Sequence, residues 1–162
     1  MLYLTIAIAS VLTAFGNAEV GDTVAEVRKK IPNLQEHPIT TAEQPDHLAL
    51  FSAEDILGWE GERIYVFKDG KLVSGALIVK DENNPELKAS HKCDDLFVEF
   101  KRLVAAKYQV PEEKMHVKLS GNMGVSTFYF ENGSKIKVLK IFIGNCTVST
   151  IYELKPRHTN PF

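Results

Sequence analysis

Cys93 and Cys146 have the most specific chemistry open to them of any residues in this 162-residue chain, because they are its only two cysteines. In an oxidising compartment an even count argues for one disulfide. The bridge would close a loop of 53 residues, and restricting the unfolded chain in that way is worth about 4 kcal/mol. The competing chemistry is nucleophilic. Cys93 lies near the start of an expected helix, where a thiol ionises more readily, and His91 is close in sequence. A thiol-dependent enzyme centred on Cys93 is therefore the alternative functional reading, and two unpaired thiols are a third.

The remaining candidates are thinner. Five histidines, His37, His47, His91, His116 and His158, show no metal-ligand spacing. His37 and His47 share a Pro-rich stretch with Glu36, Glu43 and Asp46, which is either a metal-capturing loop or simply a solvated one. Glu60 and Glu62 flank Gly61 beside the single tryptophan, Trp59. Paired carboxylates act as acid and base only in a cleft, and a surface turn is the simpler reading. The chain has no Gly-rich phosphate loop, no H-E-x-x-H, no serine nucleophile elbow and no cofactor motif. It is read as non-catalytic. Lys135 and Lys137, with Lys140, project from one expected strand with Tyr129 beside them, so a basic, aromatic sheet face could meet an anionic partner. A solvated antiparallel face would look the same without any partner. Trp59 is the second binding candidate. A net charge of -2 and the export signal argue against nucleic acid. Asn132-Gly133-Ser134 and Asn145-Cys146-Thr147 match the N-glycosylation pattern, and Asn132, at an expected hairpin tip, is the better acceptor in a eukaryotic secretory pathway.

Compartment follows from the first residues. Residues 2–15 are apolar and uncharged, and Gly16-Asn17-Ala18 offers small side chains before a cut. This reads as a secretory signal, residues 1–18, removed after Ala18 to leave a secreted or periplasmic protein, with a membrane anchor or a buried strand as the alternatives. No Lys or Arg precedes the run, as a complete leader would carry. The run is short of the roughly 20 apolar residues that cross a bilayer, so no stable membrane span is expected after processing. No cysteine follows it closely as a lipid acceptor.

The elements that must position these residues follow from periodicity. Leu96, Phe97, Phe100, Leu103, Val104 and Tyr108 fall on one stripe of a helix that opens at Cys93, carries Asp94 and Asp95 in its first turn and exits at Pro111. Thr23 and Glu26 form a capping box before a short helix ending at Pro32. Leu48–Phe51 is an expected strand and 55–61 a turn carrying Trp59. Asp69-Gly70 between β-rich runs signals a hairpin whose strands, apolar on both faces, should be covered on both sides. Residues 80–92 read as a charged linker. A second hairpin spans 125–143, with a three-residue turn through Ser134 that pairs Phe130 with Ile136 and sets Tyr129 beside Lys137. A bulge is expected near Lys140, and a last strand runs from Cys146 to Leu154. Residues 1–92 carry 14 acidic and 9 basic side chains (net -5), and residues 93–162 carry 7 and 10 (net +3).

A helix followed by a meander thus occurs twice, in 19–92 and in 93–162. The expected fold is α+β: two helix-plus-β-meander units, together one compact domain, with helices packed on one face of an antiparallel sheet. The Gly21-x-Thr23-x-x-Glu26-Val27 helix opening and the Tyr65-x-Phe67-x-Asp69-Gly70-x-Leu72 hairpin resemble the exported α+β modules grouped around the beta-lactamase inhibitor protein and the small outer-membrane-assembly lipoprotein BamE. The lipoproteins' acceptor cysteine is missing here. The resemblance implies a module that binds another protein, or an envelope surface, through a sheet face or loops. An exported inhibitor or envelope-associated factor is the leading expectation.

Overall fold

The computed structural model describes residues 11–38, 46–110, 116–120 and 122–157. Pro111, and most of the Pro-rich stretch with Glu43, lie outside them, as do His158 and residues 1–10. The chain opens with a tight hairpin of β1 (Ala14–Phe15) and β2 (Ala18–Glu19). Thr23 then caps α1 (Val24–Lys30): its hydroxyl accepts from the Glu26 N–H while the Glu26 carboxylate accepts from the Thr23 N–H, the reciprocal box read from the sequence. β3 (Gln35–Glu36), β4 (His47–Ile56), β5 (Trp59–Lys68) and β6 (Lys71–Lys80) follow as antiparallel neighbours. After a short 3-10 turn at Pro85–Lys88 come α2 (Ser90–Tyr108), β7 (His116–Ser120), β8 (Met123–Tyr129), β9 (Lys135–Phe142) and β10 (Cys146–Glu153).

All but the first two strands form one eight-stranded antiparallel sheet in the order β3-β4-β5-β6-β10-β9-β8-β7. The α+β class and the antiparallel sheet stand as expected; by residue count the molecule is mostly sheet. The Asp69-Gly70 hairpin stands too. Both residues have positive φ (50° and 75°), which suits a two-residue turn matched to the strands' twist.

Several expectations are corrected. The residues around Trp59 form a strand; the turn is Leu57-Gly58, both at positive φ (56° and 84°), and Trp59 pairs with Ile56. α2 starts a turn before Cys93, so Asp94 and Asp95 fall in its second turn. The 80–92 stretch is no loose linker. Asn84 accepts from the Glu60 N–H and donates to the carbonyls of Glu60 and Lys80, while Asp81 accepts from the Cys146 N–H. The second hairpin turns through Glu131, Asn132 and Gly133, so Phe128 faces Ile136 and Tyr129 faces Lys135. β9 pairs without a break with both neighbours, and no bulge falls at Lys140.

Pairing register divides the sheet's side chains between two faces. On the inner face Cys146, Val148, Thr150 and Tyr152 align with Phe142, Lys140, Val138 and Ile136 of β9, and with Val79, Leu77 and Gly75 of β6. Here α2 lies over β9 and β10, burying Leu96, Phe97, Phe100 and Val104. Leu103, expected on that stripe, is 44% exposed. The middle of this face is covered by Phe15, whose ring stacks edge-on to Tyr65 at 5.2 Å and tilts against Tyr152 at 4.8 Å. α1 lies towards β4 and β5, where Ile31 shares a depression with Ser52, Glu54 and Arg63. Residues assigned to the leader are therefore core residues in this fold: Leu12, Phe15 and Ala18 are all buried.

Candidate functional site

The outer face is built from the alternate residues of the same strands. One row across it reads Ile64, Ala76, Ile151, Lys137 and Thr127; the next reads Ile78, Ser149, Leu139 and Val125. Successive side chains of a strand point to opposite faces, so Val138 and Ile136 going inward forces Lys135, Lys137, Leu139 and Ile141 outward. The β5–β6 hairpin is central as expected but not covered on both sides, since Ala76 and Ile78 of the outer face remain part-exposed. Among the described residues α1, α2 and the β1–β2 hairpin pack against the inner face.

Tyr129 is 70% exposed and sits at one end of this outer face, opposite Lys135 in register. The structure brings three of the sequence candidates together there and adds a residue that sequence reasoning missed. Glu153, on β10, pairs in register with Lys135 and takes both ammonium groups: Lys135 Nζ lies 3.0 Å and Lys137 Nζ 2.9 Å from its two carboxylate oxygens. Partial burial alone would raise the Glu153 carboxyl; the hydrogen bonds from Lys137 and Lys135 outweigh it and hold the group below the usual carboxylate range. The hydrogen bond to Glu153 also raises Lys135. The patch is thus a partly neutralised ladder, two ammonium groups sharing one carboxylate, rather than a free cationic face. A signal existed in the alternation of Cys146–Glu153, which puts Glu153 on the outer face once Tyr152 is inward. Lys140 does not join them. It faces inward, paired with Asp94 of α2 and 5.9 Å from the centre of the Phe97 ring.

Trp59 lies far along the sheet, half-buried against the core, and shares a shallow depression with Leu57, Pro85 and Glu86. It does not meet Tyr129, Lys135 or Lys137. Nearby, Glu54, Asp55, Glu60 and Glu62 line another open depression. Glu60 and Glu62 both point to the outer face, and His37 approaches Glu62 at 3.3 Å. His47 contacts Asp46 at 3.1 Å. Among the described residues no group of three or more His, Cys, Asp or Glu is placed to hold a metal ion.

Cys93 and Cys146 form the disulfide, with Cα atoms 6.0 Å apart and both residues fully buried. The bridge ties α2 to the first residue of β10. It consumes the thiol that a Cys93 nucleophile would need. An intramolecular disulfide is compatible with an oxidising compartment. Among the described residues no helix is long and apolar enough to cross a membrane.

The glycosylation reading reverses. Asn132 is 3% exposed, whereas Asn145, in the turn before Cys146, is exposed. The reason is the position of the Asn132 side chain, which faces the N-terminal segment: it donates to the Leu12 carbonyl at 2.8 Å and the Lys155 carbonyl at 2.9 Å, and accepts from the Leu12 N–H at 3.3 Å.

The chain matches no family model, no curated protein and no solved structure.

Proposed function

We propose that this chain is an exported, non-catalytic binding module that meets another protein, or an envelope surface, through the outer face of its sheet. The single observation behind this is the composition of that face: part-exposed Ile78, Leu139, Ile141 and Ile151 lie between the acidic side chains of β5 and the Tyr129–Lys135–Glu153–Lys137 ladder. An apolar centre rimmed by polar groups is the pattern of a protein-binding patch. Tyr129 supplies a large, amphipathic contact at the rim. The helices, the disulfide and the N-terminal hairpin serve in this reading to stiffen the sheet from behind.

The same reading takes the fold as two helix-plus-meander units. α1 precedes β3–β6, α2 precedes β7–β10, and the two four-stranded runs meet at their last strands, β6 and β10. Such a seam makes one continuous surface from two halves. The likeness to the inhibitor and BamE modules rests on the helix opening at Gly21 and the hairpin at Asp69-Gly70, and it supports a binding role of the same broad kind.

Site-specific photo-crosslinking tests the surface. A crosslinker at Tyr129, Ile78 or Leu139 should trap a discrete partner in the exported fraction, while one at Glu99 or Leu103 on α2 should not. The pair Lys135→Glu/Lys137→Glu should weaken the trapping, because Glu153 is then left beside two more carboxylates. Equal trapping from the sheet and from α2 rejects the outer face.

A further inference from the structure

The residues just before the expected leader cut are held by buried, residue-specific contacts. Phe15 is 2% exposed. Its ring lies over Gly75 so closely that a Cβ at position 75 would come within 2.1 Å of it, and the Arg63 guanidinium sits 5.1 Å from the ring centre. Gly75 is thus the slot and Phe15 its filling. Ala18 is fully buried three residues later, and Gly16, at positive φ (59°), makes the turn between them. Just ahead, the backbone of Leu12 is read at both its polar groups. The Asn132 carboxamide pairs with its N–H and its C=O, and the Ser134 hydroxyl donates to the same carbonyl at 2.6 Å. Asn132 and Ser134 are themselves buried, and without Leu12 each would lose a buried partner and keep only its bonds within the turn and to Lys155.

From this geometry we infer that the β1–β2 hairpin, with Leu12 ahead of it, is a permanent part of the folded protein, and that any leader is removed upstream of Leu12 rather than after Ala18. A cut after Ala18 would take away a buried aromatic ring, leave its slot over Gly75 empty and strip Tyr65 and Tyr152 of a shared neighbour. Cavities of that kind are among the costliest changes a core can undergo. A cut upstream of Leu12 costs none of those ring contacts and leaves Asn132 and Ser134 their backbone partner.

Two measurements on the full chain, exported from a bacterial host with a C-terminal tag, decide the matter. Intact mass with N-terminal sequencing of the recovered protein should place its first residue at or before Leu12. A first residue beyond Leu12, Glu19 included, overturns the inference. An uncut chain is tested by coupling on the same purified protein. Gly75→Ala should lower the melting temperature by roughly 10 °C while Phe15 is present, and by far less in a Phe15→Ala background, since the clash is then relieved. If Gly75→Ala shifts the melting temperature equally in both backgrounds, the hairpin is not seated on the sheet and the inference fails.

Discussion

The side chain of Asn132 forms a two-point pair with the backbone of Leu12, 120 residues earlier in the chain, and a third bond to Lys155. One carboxamide therefore fastens the N-terminal segment and the segment after the last strand to the β8–β9 turn. Asn132→Ala should take this partner from the Leu12 N–H and the Lys155 carbonyl, the Leu12 carbonyl keeping Ser134, and cost about 2 to 3 kcal/mol, read as a lower urea midpoint at unchanged slope. Ser134→Ala should cost less. In a eukaryotic secretory host, Asn145→Gln should remove the glycan mass that Asn132→Gln leaves in place.

The disulfide should be both stabilising and hard to reach. Replacing Cys93 and Cys146 together by alanine should reduce stability by about 2 to 5 kcal/mol, because the unfolded chain regains the freedom of its closed loop. The intact protein should take up no thiol-alkylating reagent until it is reduced. Full activity of the double variant in its binding assay would agree with a purely structural role, and alkylation of the native protein without reductant would contradict the bridge.

Protonation of Glu153 should weaken the outer-face ladder. Its folded pKa is lowered, so its contribution is fully present above the unfolded value, which is near the ordinary 4.5, and is lost as pH falls through the lower folded value. The melting temperature of wild type should exceed that of Glu153→Gln at pH 7, and the gap should close as pH falls below about 4.5 through the lowered folded value. Because the carboxylate is 38% exposed, 1 M salt should also narrow it. A gap that widens on acidification would show that the two lysines do not stabilise the carboxylate.

Ser126 and Phe100 should respond in opposite directions although both are buried on the inner face. Ser126 Oγ is the one buried side-chain polar atom with no hydrogen-bond partner among the described residues. Ser126→Ala removes an unpaired hydroxyl and should be neutral or stabilising by up to about 1 kcal/mol. Phe100→Ala opens a hole beneath α2 and should cost about 3 to 5 kcal/mol. Chemical denaturation of the two variants side by side measures both.

The elements that were legible in the chain are those whose cause is local. The Thr23–Glu26 box closes within one turn, the stripe from Leu96 to Tyr108 repeats within one helix, and Asp69-Gly70 carries its own positive-φ preference. With only two cysteines, the pairing had a single solution once both are oxidised. The second hairpin was harder because its turn is set from outside: Asn132 is held inside by Leu12 and Lys155, and that places the turn one residue earlier than pattern alone.

What composition and periodicity determined about this protein is its class, its two helices, its Asp69-Gly70 hairpin and its covalent bridge. Tertiary structure alone decided which side of the sheet each residue serves. A strand's period of two leaves both faces open until something covers one. Here α2 and Phe15 chose the inner face, sending Lys140 in towards Asp94 and leaving Lys135 and Lys137 outside with Glu153. The same covering turned Phe15 from the tail of an apolar leader into a core residue, because the slot above Gly75 exists only when β6, β5 and β10 stand side by side.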